Sequence, residues 1–327
     1  MPSGSGFLAR RLLHSLLVIL GITFVAAAMI RLVPGDPVDI MAAGNPGMTE
    51  ADKDNLRAQL GLTTPLPQAF VGYVANAVHG DLGMSLRQRA PVTGLILERL
   101  PQTAELSLWA LVISIAIAIP LGTITALRRN GVVDYAGTTF AVLGISTPGF
   151  LLGILLILLF SVELRLLPSS GFRGSALMAI PFGPAAFWAK FRYFILPATS
   201  LAFALTAINA RLTRSAMLEV LSQEFVLVAR AKGLKPWTVV VRHALRNAII
   251  PVITVAGLQF GGLLSGAIVT ETVFAWPGVG RLAVQAIQWR DYPLVQGTVL
   301  VSATLFVALN FFVDVLYVAV DPRLRDA

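Results

Sequence analysis

Apolar residues gather in six long runs, separated by segments that hold most of the charge. The runs cover 12–33, 104–127, 137–163, 193–210, 248–270 and 295–320. Each approaches or exceeds the roughly 20 residues a helix needs to cross a bilayer. The pattern predicts an all-α fold, a polytopic bundle of six transmembrane helices. The first run follows Arg10-Arg11 and contains Ala26-Ala27-Ala28, as a cleaved signal would. Its length and the five runs behind it predict an uncleaved first helix instead. The chain therefore divides into an N-terminal segment with the first helix (1–33), an outer-face subdomain (34–103), a five-helix core (104–320) containing a polar loop (211–247), and a short tail (321–327).

Two polar stretches break the apolar pattern. The first, 34–103, is too long for a simple connection. Within it 49–60 reads as an amphipathic helix capped by Thr49 with Leu56 and Leu60 on one face, and a further short helix is expected around 92–99. A packing element that shapes the outer mouth is the preferred reading of this subdomain. The second stretch, 222–251, reads as two helices with a sharp break. Ser222 is placed to cap the first, and Glu224 in its first turn suits the positive helix end. Arg230 and Lys232 suit its negative end, Gly233 occupies the stop position, and Pro236 fits the first turn of the second helix. Ala229 and Ala231 are small enough for another surface to approach closely.

Inside the runs, Ser146-Thr147-Pro148-Gly149 predicts a kink, read either as cavity-lining or as a tolerated break re-satisfied by Ser146 or Thr147. Gly257, Gly261, Gly262 and Gly266 give overlapping small-residue spacings that suit close helix contact, with this chain's own bundle or with another subunit. Pro251 should kink the fifth run, with Asn247 satisfying a freed backbone group. Asp314 in the last run is expected to have a structural partner rather than to relay protons. His14 and Arg31 sit near span ends as anchors.

Composition agrees with the pattern. Of 327 residues 56% are hydrophobic and 13% charged, and the mean hydropathy is +0.77. An ordinary soluble domain carries about 25% charge. The formal charge of +8 sits between apolar runs rather than on one domain face, so it marks topology and not nucleic-acid binding. Arg10-Arg11, Arg128-Arg129, Arg323 and Arg325 cluster in short segments, as do Arg211, Arg214, Arg230, Lys232, Lys235, Arg242 and Arg246 in the polar loop. This distribution places both termini and that loop in the cytoplasm. There is no cysteine.

The run Ala229-Arg230-Ala231-Lys232-Gly233-Leu234, followed by His243-Ala244-Leu245-Arg246-Asn247-Ala248 and Pro251, resembles the cytoplasmic coupling loop of bacterial ABC importer permeases of the dipeptide/oligopeptide branch. At the E-A-A positions of the general pattern this chain has Leu227-Val228-Ala229, and the interval from Gly233 to Pro251 is longer than in sugar-importer permeases. Both departures are typical of the peptide branch. Arg10-Arg11-Leu12, Pro34-Gly35-Asp36-Pro37, Gly80-Asp81-Leu82-Gly83 with Ser85, Leu167-Pro168 with Ser170-Gly171, and Trp276-Pro277-Gly278 with Gly280 resemble the same branch in the same order. The resemblance thus covers nearly the whole chain.

It implies an inner-membrane permease subunit that forms half of an alternating-access pathway for di- or oligopeptides or peptide-like solutes. Glu224, Ala229, Arg230, Ala231, Lys232, Gly233, Leu234, His243, Asn247 and Pro251 are implied to belong to its ATPase-coupling loop. The partners implied are a second homologous permease, two ATP-binding-cassette subunits, and a periplasmic or lipid-anchored substrate-binding protein. No cofactor is expected in this chain, since ATP would be bound by the partner ATPases. Consistent with that role, no G-x-x-x-x-G-K-[ST] phosphate loop occurs. His14, His79 and His243 are far apart in the expected topology, which excludes a metal site, and no histidine is placed to activate Ser146 or Ser265. The chain is not expected to be an enzyme. An ion-gradient-driven secondary transporter is the alternative, but it would need coupling-ion sites and usually internal repeats.

Overall fold

The computed structural model describes residues 4–32, 38–39, 42, 47–59, 62–172, 184–265 and 267–320. Regular structure among them is helical, apart from an isolated antiparallel bridge between Met84 and Pro91. The all-α expectation holds. The first helix, α1 (Gly4–Leu32), is followed by α2 (Glu50–Gln59) and α3 (Leu66–Val78). Thr49 caps α2 as expected: its Oγ1 accepts from the Asp52 N–H at 3.2 Å, and its own N–H donates to Asp52 Oδ2 at 2.9 Å. This reciprocal pair satisfies two orphan donors of the helix start. The sequence pattern gave no warning of α3. It begins one residue after Pro65, in the extended conformation that proline imposes before a helix.

The core starts with α4 (Val92–Leu127), 36 residues long. The separate short helix expected at 92–99 is its first part. Pro101 sits inside the helix without ending it, so the helix runs unbroken from Val92 into the apolar run 104–127. Next come α5 (Val132–Ser146) and α6 (Gly149–Glu163), which meet at an angle of 101°. Pro148 is therefore not a kink inside one helix; it is the residue on which a second helix starts, in an extended conformation. Thr147 closes α5: its N–H and its Oγ1 both donate to the Leu143 carbonyl, at 2.9 and 2.7 Å.

The long α7 (Pro184–Leu221) packs along α4 and also touches α5 and α6. After the loop helix α8 (Glu224–Ala231), α9 (Pro236–Leu264) returns to the membrane; its second and third turns, Val239–Leu245, are wound with wider i→i+5 bonds. The fifth span ends at Leu264, not at 270 as the apolar run suggested. A short α10 (Ile268–Val273) and the amphipathic α11 (Val279–Gln288) follow before α12 (Tyr292–Val320). Among the described residues five helices are long and apolar enough to cross a membrane, and the count reaches six when the bent pair α5–α6 is taken as one span.

Gly257 and Gly261 face this chain's own α12, where added β-carbons would meet Val313 and Leu309 at 3.0 and 3.4 Å. Gly262 faces open space. Pro251 lies inside α9 without interrupting it. Gly266, the Pro34–Pro37 motif, Leu60, Arg323 and Arg325, and the side chains of Arg31, Leu56 and Asp314, lie outside the described residues.

Candidate functional site

The polar loop folds as a helix, a left-handed stop and a second helix, and its inner face is welded to the bundle. Val226 and Ala229 of α8 are buried with Val239, Val240, Ala244 and Ala248 of α9, Ala216, Met217 and Val220 of α7, and Ala126 of α4. Met217 and Val226 are fully buried, each worth about 1.5–3 kcal/mol relative to exposure. A force applied to the loop therefore reaches three membrane helices.

Gly233 has φ +74°. Its N–H donates to the Arg230 carbonyl at 2.9 Å and the Leu234 N–H reaches the Ala229 carbonyl at 3.4 Å. These two bonds are the Schellman stop that the sequence signalled. Pro236 opens the second helix, as expected. Ser222 does not cap α8. Its hydroxyl turns back to the Glu219 carbonyl at 2.7 Å and closes α7, while Gln223 occupies the cap position without a side-chain bond.

The ten site residues divide by exposure. Glu224, Arg230, Ala231, Lys232, Gly233, Leu234 and Asn247 are exposed, His243 and Pro251 are half-buried, and Ala229 is buried. The small size of Ala229 thus serves contact within this chain, and only Ala231 is open to another surface. Asn247 Nδ2 donates to the His243 carbonyl at 2.7 Å. That bond covers an acceptor where the wider winding of Val239–Leu245 gives way to ordinary α-helix.

Sequence reasoning missed the most exposed large apolar group of the loop. Trp237 is 76% exposed, and Phe225, Leu227, Val228 and Leu234 are exposed as well. Arg230, Lys232, Lys235, Arg242 and Arg246 stand among them, also exposed. Exposed apolar side chains grouped among cations mark an interaction surface. The signal was available: a tryptophan directly after the helix-starting Pro236, in a segment too polar to enter lipid.

Two further buried polar sites connect to this frame. Arg214, near the loop end of α7, donates through Nε and an Nη to Asp134 of α5 at 2.6 and 2.7 Å. At the far end of the frame Glu271 of α10 is fully buried. It accepts from Thr103 Oγ1 of α4 and from the backbone N–H of Arg281, each at 2.8 Å, so its carboxylate sits at the positive end of α11. Burial pushes this carboxyl above its ordinary range, while those hydrogen bonds pull the other way. Trp276 stacks on Phe172 with centroids 4.5 Å apart, and its ring N–H donates to the Gln102 carbonyl at 3.1 Å. Among the described residues no group of three His, Cys, Asp or Glu side chains is placed to hold a metal.

Comparison with known proteins agrees with this architecture. Residues 118–326 match the family described as binding-protein-dependent transport system inner membrane component, and residues 5–107 match its N-terminal counterpart. The chain is 41% identical over 334 residues to the dipeptide transport system permease protein of Escherichia coli, covering 98% of each. It is 43% identical over 331 residues to the di/tripeptide transport system permease protein of Pseudomonas aeruginosa, again covering 98% of each. A glutathione transport system permease protein of Escherichia coli is 40% identical over 322 residues, with 98% of each chain covered. Five to six apolar helices and full-length likeness to transport permeases make one conclusion: this chain belongs to the family of binding-protein-dependent transport system inner membrane components, the permease subunits of ABC importers.

Proposed function

We propose that this chain carries peptides or peptide-like solutes inward as half of a translocation pathway, paired with a second homologous permease. Two ATP-binding-cassette subunits would power it from the cytoplasmic side, and a periplasmic or lipid-anchored binding protein would deliver the solute. The observation that carries the reading is the loop: Trp237, Val228 and Leu234 are exposed beside Arg230 and Lys232, while Val226 and Ala229 fix the same helices to α4, α7 and α9. A groove on an ATPase subunit would receive the exposed side. Closure of the two ATPases would then tilt the welded helices and switch the pathway between its two openings. The names of the relatives support peptides as the solute class.

The arginine distribution supports an orientation with both termini and the loop in the cytoplasm. The test is reconstitution in proteoliposomes with the other subunits and dialanine as solute. Uptake that requires hydrolysable ATP and the binding protein agrees with the proposal. Uptake that survives without ATP and follows an ion gradient would replace it with secondary transport.

A further inference from the structure

A groove of about 800 Å³ opens between α1 and α12. Val18, Ile22 and Val25 of α1 form one wall, and Val295 and Val299 of α12 form the other. Gly21 leaves the α1 wall open, since nothing lies within 4 Å of a β-carbon built on it. From Val18 to Ala26 on α1, and from Tyr292 to Val299 on α12, the walls run about 10–12 Å along the helix axes. That is most of one leaflet of a roughly 30 Å hydrocarbon core.

Arg290 lines the end of this groove, is exposed, and stands two residues before the α12 span begins. Exposed Trp289 precedes it, and Tyr292 lines the same groove. Tryptophan and tyrosine favour the level where hydrocarbon meets water. Among the described residues no carboxylate is within ion-pair reach of the Arg290 guanidinium. Its neighbour Asp291 is buried and engaged elsewhere, accepting from Ser85 Oγ and from the N–H groups of Arg87 and Leu294. Arg290 also holds φ +55° at the stop of α11. Its N–H donates to the Ile287 carbonyl at 3.1 Å, and the Asp291 N–H to the Ala286 carbonyl at 2.9 Å. Glycine fills such a stop at least cost. A long cation kept there against backbone preference, with no internal partner, implies an external anion.

We propose that this groove binds an anionic phospholipid, with an acyl chain along the valine walls and the headgroup phosphate on Arg290. The chemistry of the lining selects that occupant. The walls beside Arg290 and Tyr292 are wholly apolar, which suits hydrocarbon. A guanidinium meets a phosphate through paired N–H donors, and cationic pockets between spans hold anionic headgroups in this way. No Asp or Glu lines the groove, so nothing there pairs with the ammonium of a zwitterionic headgroup. Phosphatidylglycerol is therefore favoured over phosphatidylethanolamine. The seated lipid fills the gap between α1 and α12, the helix on which α1 mainly rests. The site is independent of which solute the transporter moves.

The test titrates the complete transporter, delipidated in detergent, with dioleoylphosphatidylglycerol or dioleoylphosphatidylethanolamine, and reads bound lipid by native mass spectrometry. Arg290→Gln keeps the stem and removes the charge, Arg290→Lys keeps the charge, and Gly21→Phe fills the groove from α1. The unaltered transporter is expected to bind phosphatidylglycerol about fivefold more tightly than phosphatidylethanolamine. Arg290→Gln should abolish that preference, Arg290→Lys should keep it, and Gly21→Phe should weaken both lipids, with the subunits still assembled. No preference in the unaltered transporter, a preference unchanged in Arg290→Gln, or lipid binding unchanged in Gly21→Phe overturns the proposal. So does loss of the partner permease from Gly21→Phe with no lipid displaced, which would make the groove a subunit interface.

Discussion

Asp134 grips Arg214 through two hydrogen bonds, of 2.6 and 2.7 Å, across the join between α5 and α7. Arg214 lies two turns before the end of α7, where the polar loop begins. Asp134 lies in the first turn of the span that bends by 101° at Pro148. The pair thus links the loop to the bent span without passing through the apolar cluster. Asp134→Asn breaks the fork and leaves a guanidinium that is largely withdrawn from water, at a cost of about 1.5–3 kcal/mol. The account expects a chain that still assembles with the ATPases but transports less solute per ATP hydrolysed. The ratio of uptake to hydrolysis is the measurement, and an unchanged ratio would show the pair to be structural only.

Glu271 gives a pH dependence whose sign follows from its burial. The folded state holds the Glu271 proton more tightly than the unfolded chain does. Between the ordinary glutamate range and the higher folded value, folding therefore takes up a proton, and this group's contribution to stability falls as pH rises through that window. Glu271→Gln removes this component. It also turns an amino group toward the N–H of Arg281, so the variant should lose about 1–3 kcal/mol. Thermal unfolding of the detergent-solubilised chain, measured on both sides of that window, checks slope and offset together.

Gly278 faces the Glu271 carboxylate so closely that an added β-carbon would collide with it. Gly278→Ala should displace the carboxylate from the start of α11 and cost about 1–3 kcal/mol. The readout is Tm, compared with Gly262→Ala, where the added carbon meets nothing and little change is expected.

Gly233 separates backbone from contact. Nothing in this chain lies within 4 Å of a β-carbon built there, at φ +74°. Asparagine tolerates that conformation better than other residues with a β-carbon. Gly233→Asn should therefore leave Tm nearly unchanged and still weaken ATPase binding, through bulk placed in the docking face. Gly233→Val should do both. If Gly233→Asn binds the ATPases as well as the unaltered chain, the glycine serves only the helix stop.

How much of this was legible depended on how local the cause was. The stop at Gly233 and the start at Pro236 are written in single residues and were found where the pattern put them. The Pro148 break was located but its 101° bend was not, because the angle is set by what α6 packs against rather than by the proline. The extent of α4 was missed because its outer turns carry Glu98, Arg99 and Glu105, and a hydropathy run begins only where such charges thin out. The burial of Ala229 was invisible because its neighbours come from three other helices. Glu271 drew no reading from the sequence, because its partner Thr103 lies 168 positions away.

Trp237 carries the central claim, that the loop is the surface through which ATPase subunits drive this permease. It is 76% exposed and outside the apolar cluster that holds the loop in place. The direct measurement is the affinity of purified ATPase subunits for the detergent-solubilised permease pair, with Trp237 intact and as Trp237→Ser. A docked tryptophan is worth about 2 kcal/mol or more, so the account predicts affinity weakened at least about tenfold with an unchanged Tm. Equal affinity for the two forms would contradict it, and would leave the loop a connector between spans.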